Sequence, residues 1–279
     1  MECLRRAVVT VSALLLLTAG EATAAFERQL WGAVAIGLGG ASSLAVEDPW
    51  TALDHPALAA LHPGLRISAT VHPGAFGLAE LRRAGIIGVF PVGRGGMAGG
   101  ATVYGFELYR ELTLAVAGAL KVGASLELGA TLHLHHLAIS GYGSAAAVSL
   151  DAGARVEWTP ALASTATVSG VLSTALSRDG EQLPREIRLG VAARITETVH
   201  TGIEWVGDHR YPLGFAAGVE VRPLVALALR CGASTEPPEY ALGVGVHLER
   251  FSIDYGCSLH MLLGISHALS ITADLSSTE

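Results

Sequence analysis

The residues of this chain with the most chemistry per unit length are His133-Leu134-His135-His136. Histidine is a common metal ligand, and in an extended strand His133 and His135 point to one face. A metal site would add cysteine or carboxylate at short ligand spacing, and none stands beside this run. The cluster therefore reads as solvated histidines. Serines and histidines are scattered with no spacing that joins a nucleophile to a base, so no acyl-transfer centre is assigned. Gly37-Leu38-Gly39-Gly40 is not a dinucleotide fingerprint, because no βαβ unit surrounds it. The sequence assigns no catalytic residue, no metal ligand and no cofactor, and points to a non-enzyme.

The remaining candidates are charges, and their placement follows from the elements that carry them. From Leu65 onward, apolar and small or polar residues alternate with period two in one segment after another. Leu112, Leu114, Val116 and Leu120 oppose Glu111, Thr113, Ala115 and Ala117. Leu126, Leu128, Leu132 and Leu134 oppose Glu127, Gly129, Thr131 and His133. Strands are predicted over 65–73, 80–91, 96–106, 110–122, 124–138, 144–158, 163–174, 185–195, 197–207, 211–222, 225–234, 239–248, 250–258 and 266–275. That is about fourteen, or twelve if the weakly patterned 96–106 and 163–174 are discounted. The spacing leaves about 9–11 residues per strand plus a short turn, which suits membrane strands and is too short for βαβ units. More polar connections at 175–184 and 235–238 read as longer loops or wide turns. Cys231 and Cys257 fall two strands apart, roughly 10 Å, beyond disulfide reach.

Composition agrees with a membrane barrel. The 279 residues are 51% hydrophobic and only 15% charged, with 34 glycines, which excludes a disordered chain and disfavours an ordinary cytosolic enzyme. A net charge of -7 argues against nucleic acid as a partner. After the N-terminus no stretch is long and apolar enough for a membrane helix, so a closed barrel is the remaining way to be both hydrophobic and membrane-embedded. The alternative is a secreted β-sandwich with its apolar faces inward. Residues 1–24 read as a signal peptide: Arg5 and Arg6, an apolar run from Ala7 to Thr18, and Ala22-Thr23-Ala24 as the cleavage site. Export in a Gram-negative cell makes the outer membrane the expected location, with its lipid as the first partner.

Arginine facing lipid at mid-depth costs roughly 2–4 kcal/mol, so the charged strand face belongs inside. That puts Glu127, Asp151, Arg155, Arg188, Arg194, Glu204, Glu220, Arg222, Arg230 and Asp254 in the lumen, where they select cargo or pair to hold the structure together. Trp158, Trp205, Tyr240, Phe251 and Tyr255 lie on apolar faces near predicted strand ends and suit an interfacial girdle. Residues 25–63 do not alternate: a Gly-rich stretch at 37–41 is followed by short helical pieces around 49–61. A segment without membrane strands ahead of a barrel (64–279) is naturally a hatch or plug in its lumen. Leu44, Trp50, Leu53, Leu58 and Leu61 would then line a ligand pocket.

The block Gly39-Gly40-Ala41, Glu47-Asp48-Pro49-Trp50 and Leu53-Asp54-His55-Pro56-Ala57-Leu58-Ala59 resembles the N-terminal hatch of FadL-like outer-membrane barrels, especially their PorV/PorQ branch. Phe90-Pro91-Val92-Gly93, Leu150-Asp151-Ala152-Gly153, Leu183-Pro184, Ala217-Gly218-Val219-Glu220 and the closing Leu263-Gly264-Ile265-Ser266-His267 follow the same family in order, across most of the mature chain. Two departures stand out. His55 occupies the place of the family's asparagine before Pro-Ala, and the last predicted strand ends Asp274-Leu275 and is followed by Ser276-Ser277-Thr278-Glu279 rather than by a terminal aromatic residue. The resemblance implies an all-β, fourteen-stranded transmembrane barrel whose hatch residues include Asp48, Pro49, Trp50, Asp54, His55 and Pro56. Its implied work is hatch-gated passage of hydrophobic small molecules, or service as a barrel subunit beside type IX secretion-machinery proteins.

Overall fold

A computed structural model of the chain describes residues 25–27, 29–176, 183–208 and 213–276. The signal-peptide expectation falls on residues 1–24, outside the described ones. Fourteen antiparallel strands close into one barrel, each paired with its sequence neighbours and the first with the last. The first seven are β1 (Arg66–His72), β2 (Arg83–Val92), β3 (Gly95–Gly105), β4 (Tyr109–Lys121), β5 (Leu126–Ile139), β6 (Gly143–Thr159) and β7 (Leu162–Ser173). The rest are β8 (Glu186–Arg194), β9 (Val199–Asp208), β10 (Gly214–Leu224), β11 (Leu227–Thr235), β12 (Pro238–His247), β13 (Phe251–His260) and β14 (Gly264–Asp274). No described helix is long and apolar enough to cross a membrane.

The alternation sorts as lipid requires. On β4, Val116 is 55% exposed on the outer surface, while its neighbours Ala115 and Ala117 are 4% and 0% exposed. The same parity turns Leu128, Leu132 and Leu134 of β5 outward and Glu127 and Thr131 inward. Large aliphatic side chains thus form the outside, and charge lies inside. That is the reverse of a soluble barrel or sandwich. Trp158, Tyr240 and Phe251 face outward near strand ends, and Trp205 shares the outer face of β9. Tyr255 does not fit the girdle: it sits mid-strand on β13, where its hydroxyl meets His267 Nδ1 at 2.7 Å.

Three local expectations are corrected. Residues 235–238 form no long loop, since β11 runs to Thr235 and β12 resumes at Pro238, leaving a two-residue turn. β2 begins at Arg83 rather than 80, because Ala79–Leu81 winds into a 3-10 turn. β11 begins at Leu227, so Val225 lies in the preceding turn rather than on a strand face. Both weakly patterned segments are strands. In β7 the weakness has a cause: Ser169 and Gly170 are both buried, and Val171 and Leu172 are both exposed. Pairing with β6 shifts here, from Ala152↔Val168 to Leu150↔Leu172, so three residues of β7 oppose Asp151 alone. The bulge breaks the period-two signal.

Residues 25–62 run inside the barrel as short pieces: α1 (Ala33–Gly37), 3-10 turns at Ser42–Leu44 and Pro56–Leu61, and α2 (Thr51–Asp54). They touch strands around the whole circle, with α1 against β11 to β14, Ser42–Leu44 against β8 and β9, and Pro56–Leu61 against β2 to β6. Inward glycines make this possible. A Cβ at Gly129 would stand 2.5 Å from the Pro56 carbonyl carbon, and one at Gly243 would stand 3.0 Å from the Gly37 Cα of α1. Gly96 meets Ala59, Gly190 meets Ser43, Gly232 and Gly218 meet Leu38, and Gly256 meets Ala33 in the same way. The glycines of the inner wall are therefore a packing requirement, clearing it for a second layer of backbone.

Candidate functional site

Among the described residues, two chambers of the lumen adjoin the inner segment. The larger, about 680 Å3, opens between the longer connections such as 73–82 and 174–185. Phe26, Leu30, Trp31, Ile36 and Leu53 of the segment face it, with His72, Arg83 and Tyr104 on the wall. The smaller, about 200 Å3, lies at the rim of short turns, and half of its lining residues are charged. This differs from the expected ligand pocket. Of the five residues named for it, Leu53 reaches the large chamber and Leu44 the small one. Trp50 and Leu58 are fully buried against the inner wall, in the space that its small residues leave.

Trp50 anchors one side of the segment, its indole Nε1 donating to Ser68 Oγ at 3.1 Å and its ring stacked on Trp31. Pro49 is buried beside it, and Pro56 packs on Gly129 and Gly153. His55 anchors the other side. Its Nε2 lies 3.1 Å from both Glu204 Oε1 and Ser42 Oγ, and its Nδ1 lies 2.8 Å from Thr167 Oγ1. Glu204 also accepts from Ser42 Oγ, from the Ser43 amide and, through Oε2, from Arg188 Nη1 at 3.1 Å. Arg188 Nε reaches Glu186 at 2.6 Å. The departure at His55 thus carries a function of its own: imidazole spans from β7 to β9. Ser42 and Ser43 were not singled out in the sequence, and only their closeness to Glu204 in space reveals them.

Most charges expected in the lumen are brought into pairs. Arg230 donates to Glu220 and Asp254, each at 2.7 Å, and Arg222 reaches Glu220 at 2.8 Å and Glu47 of the segment at 2.9 Å. Arg155 bridges Glu127 and Glu157 at 3.0 and 3.1 Å. Arg194 sits apart, exposed at the rim with Glu197 at 3.9 Å. Asp151 fills the β7 bulge, accepting from the Gly170 amide at 2.9 Å and facing His133 Nε2 at 3.3 Å. His133 and His135 do share a face, stacked and lining the large chamber, while His136 points outward. Among the described residues no three His, Cys, Asp or Glu side chains are placed to hold a metal. The two described cysteines, Cys231 and Cys257, flank Leu242 from β11 and β13 and are both free.

Asp54 lines the large chamber and Asp48 the small one. One Asp48 oxygen accepts from the Trp50 amide at 3.2 Å, and the other is buried without a partner. Burial first, and then the charge of Asp254, push the Asp48 carboxyl up to about 7. The folded protein therefore holds this proton more tightly than the unfolded chain does. Stability is lost as pH climbs from the ordinary carboxylate range through 7, by an amount of order 4 kcal/mol at pH 8. Asp48→Asn should flatten this part of the profile and be the more stable protein at pH 8. Denaturant titrations at pH 5 and pH 8 check it; an equal pH dependence in both proteins would refute it.

The sequence matches no family model and no curated protein. Solved structures do match. The toluene transporter TbuX of Ralstonia pickettii superposes with a TM-score of 0.65 at 13% identity, over 88% of this chain and 98% of that one. The likeness is one of fold. A FadL homologue of Pseudomonas aeruginosa gives a TM-score of 0.66 at 12% identity, covering 89% and 99%. The toluene transporter TodX of P. putida gives 0.63 at 14%, covering 89% and 100%. At such identities the likeness establishes architecture, and chemistry must come from this chain's own side chains.

Proposed function

We propose that the chain is an outer-membrane channel for hydrophobic small molecules, in which residues 25–62 act as the hatch closing the straight path. The likeness to toluene transporters supports the cargo class, and the apolar outer surface supports the membrane. The longer connections mark the extracellular rim, since barrels of this kind keep short turns on the periplasmic side. The large chamber then faces outside and receives cargo. The observation that carries the reading is where this chamber meets the wall. Ser169 and Gly170 of the bulge line it from within, while Val168, Val171 and Leu172 face outward on the same stretch. Regular pairing of β7 with β8 ends at Ser169↔Glu186. Cargo stopped by the hatch leaves sideways there, into lipid. A secretion subunit would need no such chamber, so passage is favoured over the type IX alternative.

Deleting Gly170 and Val171 would restore one continuous register between β6 and β7 and seal the wall. Toluene uptake into vesicles carrying this variant should fall to that of protein-free vesicles, with an unchanged mobility shift on heating in detergent. Undiminished uptake by the folded variant would rule out the side exit.

A further inference from the structure

Among the described residues, six strand arginines besides Arg194 point into the lumen, and five of them are ion-paired. Arg66 meets Asp274 at 3.0 Å, and Arg155, Arg188, Arg222 and Arg230 hold the pairs given above. Arg83 is different. Its Nη1 donates to Gln29 Oε1 at 2.8 Å, and its guanidinium carbon lies 5.7 Å from the centre of the Trp31 ring. Among the described residues no carboxylate pairs with it. A guanidinium presents five donors in a planar fork that matches a carboxylate edge on, so the Nε–Nη2 side is left for another acceptor.

The surroundings decide what that acceptor is. Arg83 lines the large chamber with Trp31, His72, Phe76 and Tyr104. Trp31 is held firmly, its carbonyl accepting from Thr70 Oγ1 at 3.0 Å and His72 Nε2 at 2.9 Å. The carboxylates deep in the same chamber are already engaged. Asp151 is held by Gly170 and His133, Glu186 by Arg188, and Glu111 by the Tyr109 hydroxyl at 2.5 Å and the Phe26 amide at 3.2 Å. Glu239 of β12 lines the same chamber and acts on Arg83 only at longer range, so among the described residues the guanidinium is the lumen arginine that no carboxylate contacts directly. A chamber of about 680 Å3 is also within the usual range for small-molecule sites.

We propose that Arg83 and Trp31 form a subsite for the carboxylate of an aromatic acid, with the ring of that acid lying among Trp31, Phe76 and Tyr104. This rests on the reading of the large chamber as the cargo chamber, and narrows it from hydrophobic molecules in general to those with an acidic head. Carboxylate on guanidinium supplies orientation, and the rings supply affinity without demanding one substituent.

Three probes separate the contributions: benzoate has ring and charge, toluene the ring alone, and acetate the charge alone. Equilibrium dialysis against the purified full chain in detergent should show benzoate bound more tightly than either of the others. Arg83→Gln should weaken benzoate by about tenfold or more, as expected for loss of a charge-assisted bidentate contact, and leave toluene unchanged. Arg83→Lys, which keeps the charge but not the fork, should fall between the two. Both variants are checked for the heat-dependent mobility shift, since Arg83 pairs across the barrel wall only through its backbone. Toluene binding at least as tight as benzoate, or a folded Arg83→Gln that binds benzoate normally, overturns the subsite and leaves the channel reading standing. Failure of both benzoate and toluene to bind overturns the two together.

Discussion

Replacing Glu204 with alanine is expected to weaken the fold by about 3–5 kcal/mol and to free the N-terminal segment from the barrel wall. The carboxylate is 0% exposed and gathers Ser42, Ser43 and His55 from the segment and Arg188 from β8 around its two oxygens. An alanine leaves Arg188 with Glu186 alone and strands buried donors that water cannot reach, and an unmet buried donor costs more than a made bond contributes. Glu204→Gln keeps one acceptor oxygen and should fall between wild type and alanine. The exposed pair Arg194–Glu197, at 3.9 Å, gives the comparison: Glu197→Ala should change stability by no more than about 0.5 kcal/mol. Guanidinium unfolding in detergent, followed by tryptophan fluorescence, reads the loss. Limited proteolysis reads the released segment as cleavage between residues 25 and 62. An unmoved midpoint together with a protected segment would show that the Glu204 cluster is incidental to the seating.

Why this cluster could not be read from the chain shows what period and composition can and cannot give. Strand existence and facing were legible, because a one-residue slip would turn Val116 inward and Ala115 outward, and the apolar pattern forbids it. Placement of Glu204, Arg188, Arg230 and Asp254 inside followed from the same parity. Their pairing did not, since it depends on stagger: Glu204 stands directly opposite Gly190, and reaches Arg188 only along the diagonal. The β7 bulge was visible only as a weak pattern, for a bulge is by nature a break in the signal used to find strands. Inside the barrel, the short helical pieces expected around 49–61 are found at Thr51–Asp54 and Pro56–Leu61. Helix α1 went unread, since only its last residue falls in the Gly-rich stretch at 37–41 and its five residues, with no side-chain cap, are held by the surrounding wall rather than by their own propensity. The resemblance located the hatch-like block, yet the residue that departs from it, His55, proved to be the one that joins the segment to β7 and β9.

The second large effect is expected where the wall has no side chain at all. At Gly232 on β11, an added Cβ would fall on the Leu38 carbonyl and the Gly39 amide, which are backbone and cannot swing aside. Its backbone is extended, so valine suits the strand itself and the barrel should still close. The conflict lies only with the inner layer, which must lift off its seat at a cost of about 1–3 kcal/mol, as overpacking does elsewhere. Gly232→Val should therefore keep the mobility shift on heating, expose residues 25–62 to protease, and let small hydrophilic solutes leak through proteoliposomes that are otherwise tight. Gly118→Val is the matched control: that glycine faces outward on β4 with nothing within 4 Å of an added Cβ, and the substitution should be silent in all three measurements. If Gly232→Val folds, resists protease and stays tight, the inner layer can shift within the lumen without opening it. The proposal that its seating closes the straight path would then fail. If Gly118→Val leaks as well, the effect belongs to the barrel wall and not to the hatch.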